Sequence, residues 1–114
     1  MKIEKFEDII SWQKSKELVI RTYKNFDHIR DYSFRDQIQR AAVSIMNNIA
    51  EGFERRGNKE FKYFLFIAKG SCSEFRSMIY IARELKYISQ SDFEFTHNLS
   101  MEISKLISGL IKTL

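Results

Sequence analysis

The chain has 114 residues, of which 44% are hydrophobic, 14% aromatic and 30% charged, and its net charge is +4. That length fits one domain with a real core and excludes two, while the composition excludes intrinsic disorder. Proline is absent and glycine occurs only four times, which excludes a sandwich or barrel, because their many tight turns lean on those two residues.

Few, long elements are therefore expected. The opening MKIEKFEDII has no apolar stretch of signal-peptide length and no small-residue cleavage site. No run of about 18 apolar residues exists to span a membrane, so the expected location is the cytoplasm. The single cysteine excludes an intramolecular disulfide and gives no metal-site spacing. Positive charge is concentrated in two stretches: residues 12–40 carry +3 and 54–88 carry +4, whereas 1–11, 41–53 and 89–114 carry −1 each. Such asymmetry suits an anionic partner.

In chain order, the spacing predicts a first helix over about 8–26, with Asp8 as N-cap. It places Ile9, Val19, Tyr23 and Phe26 on one side and Trp12 at its edge. Residues 27–32 form the connection. A second helix opens at Ser33, with Asp36 three residues on in a capping-box-like arrangement. Its stripe is Ile38, Ala42, Ile45, Ile49 and Phe53. The break falls at Arg55-Arg56-Gly57-Asn58, where Gly57 would end one helix and Asn58 cap the next. The third helix runs to about Lys86 on a seam of Phe61, Phe64, Leu65, Ala68, Cys72, Phe75, Ile79 and Ala82. Ser89-Gln90-Ser91-Asp92 is a second turn and cap signal, before a fourth helix carrying Leu99, Ile103, Leu106, Leu110 and Leu114. Four stripes on short links predict an all-α, antiparallel up-and-down four-helix bundle, a single domain over residues 1–114.

At about 100° per residue the third helix has two further surfaces. Roughly opposite the seam lie Tyr63, Phe66, Gly70, Ser73, Ser77, Tyr80 and Ile81. Aromatics flank small residues there, a pattern that lets another helix approach closely and supplies area to bury. The functional reading is a self-association surface; the other is that the third helix is central and buries both sides within its own chain. Between seam and outer face runs Lys62, Lys69, Arg76 and Arg83, one base every seven residues and about 10 Å apart along the axis. Arg55, Arg56 and Lys59 extend the line. It suits a phosphate backbone, or else is a solvated flank paired with a neighbour's carboxylates.

No constellation for catalysis is apparent. His28 and His97 lack carboxylate or cysteine partners at metal-ligand spacing. Cys72 lies on the core seam and reads as a small buried hydrophobe rather than a nucleophile. There is no phosphate-cradling glycine loop and no nucleophile–base pair at a recognisable spacing. Asn48 and Glu51 are polar groups near the end of an apolar helix, suited to bonding a neighbouring helix or subunit. No cofactor or metal is implied, and an enzyme is not expected.

Several segments together resemble one family. Phe6-Glu7-Asp8-Ile9 followed by Trp12-Gln13-Lys14 is similar to the opening of the four-helix bundle proteins encoded by intervening sequences in bacterial 23S ribosomal RNA genes. Gln37-Ile38-Gln39-Arg40-Ala41-Ala42-Val43-Ser44-Ile45 and Asn48-Ile49-Ala50-Glu51-Gly52 resemble its most distinctive stretch. Ala68-Lys69-Gly70-Ser71 with Ser73-Glu74, and Glu84-Leu85-Lys86-Tyr87-Ile88, are similar to its third-helix signature. The resemblance implies a ring, typically a homopentamer, and kinship with the accessory variability determinant of diversity-generating retroelements, a basic ring that binds nucleic acid and a reverse transcriptase. Met46 stands where the family commonly has proline, so the second helix should be less kinked, and Asp27 follows Phe26 where a proline is frequent. Two functions follow as expectations. One is an oligomer that binds nucleic acid, RNA before DNA, through phosphate contacts. The other is a protein-interaction scaffold whose basic residues serve solubility.

Overall fold

Four long helices and one short turn account for nearly all of residues 3–114, which the computed structural model describes. Met1 and Lys2, the first residues of the stretch read as lacking a signal peptide, lie outside the described residues. A 3-10 turn at Phe6–Asp8 leads into α1 (Ile10–Phe26), followed by α2 (Tyr32–Glu54), α3 (Asn58–Glu84) and α4 (Gln90–Lys112). Among the described residues there is no strand, and no helix is long and apolar enough to cross a membrane.

The helix ends follow local chemistry, with three corrections to the sequence reading. Asp8 closes the 3-10 turn instead of capping α1, whose N-cap is Ile9 with no side-chain bond. The 3-10 turn is pinned from outside, where the Phe6 ring meets Trp12 edge-on at 5.2 Å. The cap of α2 is Asp31 rather than Ser33: its carboxylate accepts the Phe34 N–H at 3.2 Å, satisfying a donor that the first turn leaves unpaired. Between α2 and α3 the chain turns at Arg56, with φ 64°, and the N-cap of α3 is extended Gly57 rather than Asn58, which is the first residue of the helix. Lys86 takes the same left-handed conformation (φ 61°) after α3. Ser89 caps α4, its Oγ accepting the Asp92 N–H at 3.1 Å, as its S-x-x-D signal predicts.

Each helix packs on two others. α1 and α3 both pack against α2 and α4, while α1 does not meet α3 and α2 does not meet α4. The core between them contains fully buried Phe26, Phe75, Leu18, Ile38, Ile45, Ile49, Leu65, Ile79, Ile103 and Ile107, each worth about 1.5–3 kcal/mol by removal of apolar surface from water. The predicted α3 seam is buried throughout except at half-buried Phe64. In α2, Phe53 is likewise only half-buried, and buried Gly52 lets α3 approach closely.

Two stripes need correcting. The inward line of α1 is Ser11, Ser15, Leu18, Thr22 and Phe26; Val19 is half-buried and Tyr23 exposed. Ser15 and Thr22 fit there because their hydroxyls donate to carbonyls one turn back in the same helix, each at 2.6 Å. In α4 the inward line is Phe93, Thr96, Leu99, Ser100, Ile103 and Ile107, so Leu99 and Ile103 are buried as their spacing predicts, while Leu106, Leu110 and Leu114 are half-buried. Hydropathy favoured the larger apolar neighbours, but the narrow gaps between helices take small hydroxyl side chains that satisfy themselves.

Candidate nucleic-acid interface and association face

On α3, the seven-residue spacing of Lys62, Lys69, Arg76 and Arg83 returns them to one side of the helix, beside the seam and facing α4. All four are half-buried. Their stems cover apolar surface while their charges reach its edge. Lys69 and Arg76 both lie close enough to Cys72 to lower its pKa, although burial outweighs them and pushes the thiol up from 9.0 to about 11. The Cys72 thiol donates to the Ser100 carbonyl at 3.1 Å, so it is a protonated core group rather than a nucleophile.

The carboxylates of α4 are engaged elsewhere: Glu94 accepts from the Gln90 amide of its own helix at 2.9 Å, and the other two reach α1. Glu102 pairs with Lys14 at 3.5 Å and Asp92 with Arg21 at 3.6 Å, both on α1. Among the described residues, Lys62, Lys69 and Arg76 have no carboxylate within ion-pair distance, and Arg83 meets only Glu84 beside it, at 3.7 Å. A flank neutralised by the next helix is therefore not what the chain builds. Arg83 is held by rings instead: its guanidinium sits 4.3 Å from the Phe93 centroid and 5.4 Å from that of Tyr80. Exposed Arg55, Arg56 and Lys59 lie at the α2–α3 reversal. Arg55 is partly engaged, bonding Glu51 at 2.8 Å and lying over the Phe64 ring at 5.0 Å.

The outer face of α3 is open. Tyr63 is 63% exposed, Phe66 56%, Ile81 49% and Tyr80 43%, with Gly70, Ser73 and Ser77 exposed between them. A Cβ added at Gly70 would meet nothing within 4 Å. Burial of both sides of α3 within one chain, the other reading of this pattern, is thereby ruled out. Tyr80 sits at the border of face and ridge, where its hydroxyl and the His97 Nε2 share a hydrogen bond at 2.9 Å and His97 stacks on Phe93 at 5.4 Å. The sequence carried no signal for this cross-helix cluster, in which Tyr80 and His97 are 17 residues apart. Asn48 and Glu51 have local work: Asn48 bonds the Ser44 carbonyl and hydroxyl, and Ser44 bonds Ser71 of α3 at 2.8 Å, while Glu51 pairs with Arg55. His28 is exposed in the first link.

The result is an all-helical protein of four helices, with a basic ridge that makes no cross-helix ion pair and an uncovered aromatic face side by side on one of them. The family model described as the 23S rRNA-intervening sequence protein matches residues 7–109, and the chain belongs to that family. A solved structure of a protein of unknown function from the S23 ribosomal protein family of Bacteroides thetaiotaomicron is 28% identical, with a TM-score of 0.84 over 90% of this chain and 99% of the other. No curated protein matches the chain.

Proposed function

We propose that this protein is a non-enzymatic, basic, self-associating helical module that binds nucleic acid, RNA in preference to DNA, through phosphate contacts. The observation that carries the reading is the ridge of Lys62, Lys69, Arg76 and Arg83, left without cross-helix carboxylates while Asp92 and Glu102 of α4 serve α1. A line of charge at regular spacing matches a phosphate backbone and carries no base-reading geometry. The short links turn each helix back in an antiparallel, up-and-down course, and the α3 outer face joins copies, with a closed ring as the assembly. Repetition of the ridge around such a ring multiplies the positive field. The preference for RNA, the ring and kinship with a retroelement determinant that contacts a reverse transcriptase rest on family membership and resemblance. A cytoplasmic setting is part of the same reading.

The test is a mobility shift on RNA and DNA of matched length across a salt series, run beside a mass measurement. Four phosphate contacts per chain give a slope of about −3 in log affinity against log salt. Lys69→Glu with Arg76→Glu should remove binding and spare assembly. Affinity indifferent to salt, or retained by that double variant, would leave the scaffold reading in its place.

A further inference from the structure

We infer that the groove between the start of α1 and the end of α4 binds a small amphipathic carboxylate, with its head group at the α1 N-terminus and its apolar tail along α4. The inference does not depend on the basic ridge or on association, and gives the chain a second ligand of different chemistry.

The groove has a volume of about 340 Å³, within the range of small-molecule sites, and its apolar walls are Ile3, Ile9, Ile10, Leu106 and Leu110. A hollow of similar size elsewhere has charged walls, as between Lys16, Glu17, Arg21 and Lys24. Ile10 is 53% exposed and Leu106 and Leu110 only half-buried, so a hydrocarbon tail laid there would remove apolar surface from water on both sides. Gly109 keeps the α4 wall low, since a Cβ added there would meet nothing within 4 Å.

Three features of the polar end select a carboxylate. Ser11 lines the groove, is 2% exposed, and its hydroxyl has no hydrogen-bond partner. Ser15 and Thr22 on the same line satisfy themselves on the carbonyl one turn back. For Ser11 that carbonyl belongs to Glu7, which lies in the 3-10 turn and accepts the Gln13 side-chain amide at 2.9 Å. A buried hydroxyl without a partner costs free energy, and a ligand oxygen that accepts from it removes that cost. The start of α1 supplies further donors. The Trp12 and Gln13 N–H groups return to the Ile9 carbonyl, whereas among the described residues those of Ile10 and Ser11 have no acceptor, and the N-cap Ile9 offers no side-chain bond. Two free N–H groups at the positive end of the helix dipole favour an anion. Lastly, exposed Lys105 stands on the rim and, among the described residues, has no carboxylate within ion-pair distance. Exposed Asp8, also on the rim, is the one acid there that opposes the ligand.

The test is calorimetric titration of the full-length protein with decanoate, decanol and acetate, beside thermal melts that show each variant folded. Decanoate should bind once per chain and raise the melting temperature. Decanol, which has the tail without the charge, and acetate, which has the head without the tail, should each bind roughly tenfold more weakly or worse. Ser11→Ala should weaken decanoate roughly tenfold by removing a hydrogen bond to a charged group. Gly109→Glu, at an exposed position with room for a side chain, should abolish binding, because it fills the groove and draws Lys105, one turn back, into an ion pair. Asp8→Asn should tighten binding about twofold to fivefold. Lys69→Glu with Arg76→Glu should leave it unchanged; loss in that variant would place decanoate on the ridge and overturn the site. Decanol bound as tightly as decanoate, or full affinity in Ser11→Ala, would overturn the carboxylate seat. No saturable binding by the wild type, or binding kept by Gly109→Glu, would overturn the groove as the site.

Discussion

At Gly52 a single hydrogen atom decides how closely two helices approach. A Cβ there would come within 2.6 Å of the Phe64 Cβ and 3.1 Å of the Phe61 ring. The first of these is the root of a side chain and moves only if α3 moves. Alanine gains about 1 kcal/mol of helix propensity over glycine, but forcing two packed helices apart costs about 1–3 kcal/mol. Gly52→Ala should therefore lose up to about 2 kcal/mol, read as a lower denaturant midpoint at unchanged slope. The glycine was legible in the sequence, but its reason was not, since the contact joins residues on different helices.

Cys72 shows the same scale working through protons. Burial holds the folded thiol at about 11 against an ordinary 9.0. Above pH 9 the unfolded chain releases a proton that the folded chain keeps, so stability falls as pH rises and is lost through pH 11, by up to about 2–3 kcal/mol. Below pH 9 the contribution is fully present. Cys72→Ala should flatten that alkaline loss, and thiol labelling of the wild type should proceed only at the rate of unfolding. Half-buried Tyr87 also shifts upward, first because its hydroxyl donates to Asp31, so melts on an Asp31→Asn background are needed to keep the two alkaline effects apart.

Among elements, α3 was the most legible and α1 the least, for one physical reason. A helix whose inward line is wholly apolar announces itself, and Phe61, Leu65, Ala68, Cys72, Phe75, Ile79 and Ala82 are all buried as their spacing predicts. The α1 line is built partly from serine and threonine, which hydropathy assigns to water, and only packing shows that they line a narrow gap. Ser11 is the weak point there, because its buried hydroxyl has no hydrogen-bond partner. Replacing it with alanine removes an unsatisfied polar atom and favours the helix, so Ser11→Ala should stabilise by about 1 kcal/mol in a thermal melt. The ridge was equally legible from its seven-residue period. What the sequence did not hold was the fate of Glu102 and Asp92 on α4, which only the arrangement of helices assigns to Lys14 and Arg21.

For the whole molecule, an extended body of 42 × 22 × 19 Å leaves the aromatic face of α3 in water, and a lone chain has no second surface with which to cover it. If copies supply that cover, folding and association are linked, and the melting temperature must depend on protein concentration. A hundredfold increase in concentration shifts the folded state by roughly 2–3 kcal/mol, a rise on the order of 5–10 °C for a domain of this size. Gly70→Glu should remove the dependence and leave a melt at the same temperature at every concentration. Lys69→Glu with Arg76→Glu should retain it, since the ridge lies on the α4 flank rather than on the contact. A wild-type melting temperature that stays constant over that range would mean that α3 keeps its aromatics exposed by default, and that whatever covers them is not another copy of this chain.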